Sequence, residues 1–289
     1  MKSQARTQEV DLSSGKDVDY ENFPVGSWLL PAGLRPHIAT FYQFARAADD
    51  IADSAMIPAE EKLRRLNEFE AVLSGQIVSK TAPRPARQMR ESLQKTATTP
   101  QHCFDLLAAF KQDARKRRYE DWRELVDYCL LSAAPVGRYL LDLHGGGRSG
   151  YGPSDALCIA LQVLNHLQDC QADYLDIDRV YLPQDWLEHE NITVECLAEE
   201  KSSPALRHLL DRILDKVDRL MIDAAALPAS LRSRRLAMES AAIINIANRL
   251  SEMLRRRDPL ASRVGLNKPQ YFQCCISGAF FAFIRHQSD

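Results

Sequence analysis

Phe41-Tyr42-Gln43-Phe44-Ala45-Arg46-Ala47-Ala48-Asp49-Asp50-Ile51-Ala52-Asp53 contains neither glycine nor proline, and its apolar residues recur at helical spacing. That period predicts an amphipathic helix. On such a helix Asp49 and Asp53 stack on one face, with Arg46 one turn before Asp49 and Tyr42 one turn before Arg46. Two carboxylates one turn apart repel unless a cation lies between them, and a divalent metal would supply it. An exposed acidic helix end is the plainer reading of the pair taken alone.

The same period recurs along most of the chain. Glycine is scarce, at 12 residues, and runs of alternating β-branched residues are missing, so the fold class expected is all-α. Helices are expected over 35–54, 59–74, 86–96, 101–116, 122–144, 154–175, 194–201, 204–227, 229–257 and 269–285. Ser154 is a candidate N-cap, and Asn267-Lys268-Pro269 opens the last helix. Breaks fall at Thr81-Ala82-Pro83-Arg84-Pro85 and at the glycine-rich 145–153. The second lacks the phosphate-loop pattern and no strand precedes it, so a plain interhelical loop is expected.

A second polar cluster lies in Gln162-Val163-Leu164-Asn165-His166-Leu167-Gln168-Asp169-Cys170-Gln171-Ala172-Asp173. Gln162, Asn165, Asp169 and Asp173 form a stripe on an otherwise apolar helix, which is costly unless the stripe lines a cavity. His166 falls off the stripe and reads as a packing or surface histidine. Two such helices facing one another would offer carboxylate and amide oxygens alone, a donor set that suits Mg²⁺. Magnesium shares its coordination with water and phosphate, so a phosphorylated substrate is the natural partner.

Composition narrows the function classes. A net charge of −2 gives no basic field, so no nucleic-acid partner is expected. Hydrophobic residues make up 45% of the 289, enough for a large buried interior. The seven cysteines are odd in number and scattered, which fits reduced thiols of a cytoplasmic protein. The polar stretch 1–20 carries no signal-peptide pattern and is expected to be a flexible segment ahead of one domain spanning 21–289. The apolar run 272–284 is too short to span a bilayer, which takes ~20 residues, but could touch its inner face. Arg115-Lys116-Arg117-Arg118 reads as a solvated helix end, although it could also approach an anion.

Taken together, Tyr42, Arg46, Asp49-x-x-x-Asp53 and Gln162-x-x-Asn165-x-x-x-Asp169-x-x-x-Asp173 resemble the squalene/phytoene synthase family of head-to-head isoprenoid synthases. Tyr128-Cys129 before Pro135-Val136-Gly137, and Arg179-Val180-Tyr181-Leu182-Pro183, resemble two further segments of that family. The resemblance covers 21–186 most closely. Glu21-Asn22-Phe23-Pro24-Val25-Gly26-Ser27-Trp28 and Asn165-His166-Leu167-Gln168-Asp169 are similar to its bacterial hydroxysqualene synthase branch, which serves hopanoid synthesis. Asn22 departs from the serine of many members, and Ser132-Ala133-Ala134 from their Val-Ala-Gly.

The resemblance implies a class I isoprenoid synthase bundle with a central cavity. It implies three Mg²⁺ held with diphosphate by Asp49, Asp53, Asn165, Asp169 and Asp173. Presqualene diphosphate would bind through Phe23, Arg46, Gln162, Asn165, Arg179 and Tyr181, with Tyr42, Arg46, Tyr128 and Asn22 as catalytic residues. Ionisation, rearrangement and capture by one water would give hydroxysqualene, so no NADPH is expected. Phe23, Phe41, Tyr42 and Tyr128 are candidates to stabilise the cation, although core packing is the stronger reading for Phe41. Hand-over of the apolar product to other squalene-pathway enzymes at a membrane surface follows as an expectation. Two alternatives stand beside it: condensation of prenyl diphosphates to presqualene diphosphate, squalene or phytoene, and a silent scaffold homologue.

Overall fold

A computed structural model of the chain describes residues 30–285, with side chains through 278. The expected flexible segment 1–20 lies outside the described residues, as do Asn22 and Phe23. The helices are α1 (Arg35–Asp53), α2 (Ala59–Ser74), α3 (Arg84–Thr96), α4 (Gln101–Asp113), α5 (Trp122–Ser132), α6 (Ala134–Leu143), α7 (Tyr151–Gln168), α8 (Cys170–Ile177), α9 (Gln184–His189), α10 (Pro204–Ala224), α11 (Leu227–Ser230), α12 (Arg234–Arg256) and α13 (Lys268–Arg285). Among the described residues there is no strand, only an isolated parallel bridge between Tyr119 and Pro183. The all-α expectation holds.

Where helices end differs from the sequence reading, for local reasons. The helix expected over 122–144 breaks at Ala133, because Pro135 has no N–H to offer the carbonyl one turn back. The helix expected over 229–257 begins at Arg234, where Ser233 Oγ accepts from Leu236 N at 3.3 Å. Residues 194–198 form only a 3₁₀ turn. The helix expected over 154–175 starts earlier, at Tyr151, and is interrupted at Asp169 (φ −106°, ψ 9°).

Buried side chains form one contiguous cluster, from Phe44 and Leu66 through Leu164 to Leu250. The centre of the bundle is α7, packed against α5, α6, α10 and α12, whereas α1 packs on α2, α3 and α4. Ser154 is buried inside α7 rather than capping it. A Cβ on Gly137 would lie 2.3 Å from Ser154 Oγ and 2.7 Å from Cys158 Sγ, so glycine is what lets α6 approach α7 this closely. The glycine-rich 145–150 is a plain interhelical connection, turning at Gly145 (φ +69°), and none of it lines the main cavity. Among the described residues no helix is long and apolar enough to cross a membrane.

Candidate active site

A cavity of about 370 Å³ lies in the bundle, with α1 and α7 as two of its walls. From α1 it receives Tyr42, Arg46, Asp49 and Asp53; α7 gives Gln162 and Asn165, α8 gives Asp173, and Asp169 comes from the break between them. Tyr128, Arg179 and Tyr181 join them. All the sequence-selected residues within the described part of the chain therefore share one space. The rest of its wall is largely apolar, including Ile38, Phe110, Val136, Leu157, Leu161 and Ile243.

Its polar side is crowded with opposite charges. Arg46 lies 3.4 Å from Asp49 and 3.1 Å from Asp50, and Arg179 donates to Asp53 at 2.9 Å. Across from them Arg263 lies 3.9 Å from Asp169, and His166 lies 4.0 Å from Asp173. Among the described residues no three acidic, histidine or cysteine side chains converge tightly enough to hold a metal ion by themselves. The available donors are carboxylate and amide oxygens, which fit a magnesium ion that completes its shell with water and phosphate.

The arginine between the two motifs is set by backbone pairing. Arg117 O accepts from Val180 N at 2.9 Å and Tyr119 O from Gln184 N at 2.9 Å, so 179–183 runs extended beside 117–120. Arg117 and Arg118 clamp the Asp178 carboxylate at 2.7 and 2.6 Å, and these hydrogen bonds hold it below the usual carboxylate range. This corrects the reading of the basic run as a solvated helix end, since α4 stops at Asp113 and the run braces the segment that carries Arg179.

Arg179 is buried and also donates to the Tyr181 hydroxyl at 3.2 Å and to the Asp113 carbonyl at 3.3 Å. Tyr128 donates to Asp113 Oδ2 at 2.9 Å. Burial pushes the Asp113 carboxyl up to about 6, against the pull of Arg179 and of the Tyr128 hydrogen bond. Burial likewise keeps Tyr128 and Tyr181 neutral, far above the ordinary phenol value.

Asp113, His166, Glu239 and Arg263 are among the cavity residues that the sequence reading did not place in a site. His166 packs, as one of its two readings had it, and it also borders the cavity. It is buried, stacked on Tyr181 with ring centroids 3.5 Å apart, and its Nε2 lies 3.2 Å from the Gln162 amide nitrogen. The cavity wraps further round α7 than a single stripe, and the four-residue step from Gln162 to His166 was the available signal. Glu239, Arg263 and Asp113 carried no spacing signal. Phe41 packs in the core, stacked on Tyr139 at 4.0 Å, and still contributes to the cavity wall.

The sequence profile of the squalene/phytoene synthase family matches residues 18–270. The chain belongs to this family. Among squalene/phytoene synthases it is 43% identical to the hydroxysqualene synthase of Rhodopseudomonas palustris, over 98% of this chain and 95% of that one. It is 41% identical to the hydroxysqualene synthase of Sinorhizobium fredii, over 86% and 84% of the two chains. Among solved structures it is similar to squalene synthase HpnC from Alicyclobacillus acidocaldarius, with a TM-score of 0.70, 29% identity, and coverage of 80% of this chain and 87% of that one. The helical bundle is thus that of the isoprenoid synthases.

Proposed function

We propose that the protein is a hydroxysqualene synthase, which ionises presqualene diphosphate and lets one water capture the rearranged cation. The observation that carries this reading is the division of one cavity into a charged side, built by both aspartate motifs and three arginines, and a largely apolar remainder. A diphosphate ester of a long hydrocarbon has the same division. Relatives named hydroxysqualene synthase at 43% and 41% identity favour this outcome over condensation of prenyl diphosphates.

Asp49, Asp53, Asn165, Asp169 and Asp173 would hold magnesium, which when bound stabilises the charge of the leaving diphosphate. Arg46 and Arg179, each paired with an aspartate of the first motif, lie close enough to share that charge. The C–O bond breaks with its electron pair going to diphosphate. The apolar wall keeps bulk water from the cation, and Phe41, Tyr42 and Tyr128 offer ring faces worth roughly 0.5–2 kcal/mol each. Asn22 and Phe23 keep their sequence-derived roles within this proposal. Product hand-over at a membrane surface also belongs to it, supported by the exposed Phe272 and Ile276 one turn apart on α13.

Pyrophosphate release from presqualene diphosphate tests the site. It should require magnesium and fall on the order of a hundredfold or more in Asp49→Asn and in Asp169→Asn. Unchanged release in both variants would remove the proposed centre.

A further inference from the structure

We infer that Lys62, on α2, is a positioning residue that fixes Asp53 for the metal, an assignment that rests on the function proposed above. Asp53 is the last residue of α1, so its carboxylate is only as well placed as the final turn of that helix. Final turns fray, because the last four carbonyls of a helix have no partner within it. Ser54, which follows, lies at φ −55° and ψ 117°, outside the left-handed region that closes many helices. Charge weakens this end further. The C-terminus is the negative end of the helix dipole, yet α1 brings Asp49, Asp50 and Asp53 to it, with no basic residue in the last turn.

Cations from elsewhere meet that end. Arg46, a turn earlier, pairs with Asp49 and Asp50, and Arg179 pairs with Asp53. Both border the cavity, where diphosphate would draw on them. Lys62 differs in both respects: it does not line the cavity, and its ammonium donates to the Ala52 carbonyl at 2.6 Å. Its hold on the backbone beside Asp53 therefore persists when the arginines turn to substrate. The neighbouring carboxylate on α2, Glu61, is taken by Arg64 and Arg65, each at 2.7 Å, which leaves the lysine to reach across to α1. Burial lowers the Lys62 ammonium from its ordinary value and Arg179 adds to this, whereas Asp53 opposes it, as expected of a cation close to both.

Charge and position predict opposite effects of losing this side chain. Removing a positive charge beside a magnesium site would tighten cation binding. Loosening the turn that carries Asp53 would weaken it, by the roughly 10- to 100-fold that follows when the outer support of a metal ligand is lost.

The test is binding of Mn²⁺, which accepts the same oxygen donors, in the presence of inorganic diphosphate. The electron paramagnetic resonance signal of free Mn²⁺ reports it for the wild type, Lys62→Met and Lys62→Arg. Methionine keeps the stem and loses the donor and the charge. Affinity should fall about tenfold or more in Lys62→Met and largely recover in Lys62→Arg. The magnesium concentration that half-saturates pyrophosphate release should rise by a similar factor, with kcat at saturating magnesium within about threefold of the wild type. Unchanged or tighter Mn²⁺ binding in Lys62→Met overturns the assignment, even where thermal stability falls, because the lysine would then be a helix cap and no more. Lys62→Gln, one atom shorter and uncharged, is the second variant and is read in the same way should Lys62→Met not fold. A wild type that binds no Mn²⁺ with diphosphate would overturn the proposed metal site instead.

Discussion

Asp113 shows how a single carboxyl, invisible in the sequence pattern, shapes the site. It is 7% exposed, accepts from Tyr128, and through its carbonyl helps hold Arg179 against Asp53. Its folded-state value of about 6 exceeds the ordinary 3.8, so between those values the native protein holds a proton that the unfolded chain has lost. Stability from this group is therefore complete below the lower value and is lost as pH rises through the upper one. Asp113→Asn keeps the acceptor without the charge. Its stability relative to the wild type should rise between about pH 4 and about pH 6, by up to ~3 kcal/mol, in urea unfolding. A difference that does not vary with pH would contradict the assigned burial cost. At this scale the sequence revealed the residues with periodic partners, namely Tyr42, Arg46, Asp49, Asp53, Gln162, Asn165, Asp169 and Asp173. It concealed Asp113, Glu239 and Arg263, whose roles come from tertiary placement alone.

The helices and the segments between them carry the positioning. Most helix bodies were legible because their apolar period is long and uninterrupted, as in α1 and α10. The interruption at Asp169 was not, since no proline or glycine marks it, and the bracing of Arg179 by the 117–120 segment is a long-range pairing that periodicity does not encode. That brace turns on Asp178, which closes α8 in the left-handed region (φ 52°) and receives both Arg117 and Arg118. Asparagine adopts this conformation at lower cost than alanine, although Ala97 also adopts it, at φ 53°. Asp178→Ala should therefore be less stable than Asp178→Asn by about 1 kcal/mol in denaturant titration. The charge itself adds little, because the ion pairs are largely exposed. Equal losses in the two variants would show that backbone strain does not matter there.

For the whole molecule, the arrangement amounts to a polar trap for diphosphate at one part of an apolar cavity, assembled from α1, α7, α8 and the 179–181 segment. Fold class and family were readable from the two motifs together, since a helix bundle brings separated polar stripes to a common space. The chemical outcome was less readable. It depends on where one water sits, which helical spacing does not encode. The central claim is that the bond to diphosphate breaks on its carbon side and that water supplies the new oxygen. Incubation with presqualene diphosphate and, separately, with farnesyl diphosphate in ¹⁸O-labelled water, with mass analysis of the products, tests it most directly. The account predicts hydroxysqualene carrying the solvent label from presqualene diphosphate and no product from farnesyl diphosphate. An unlabelled alcohol, or a condensed product from farnesyl diphosphate alone, would contradict it.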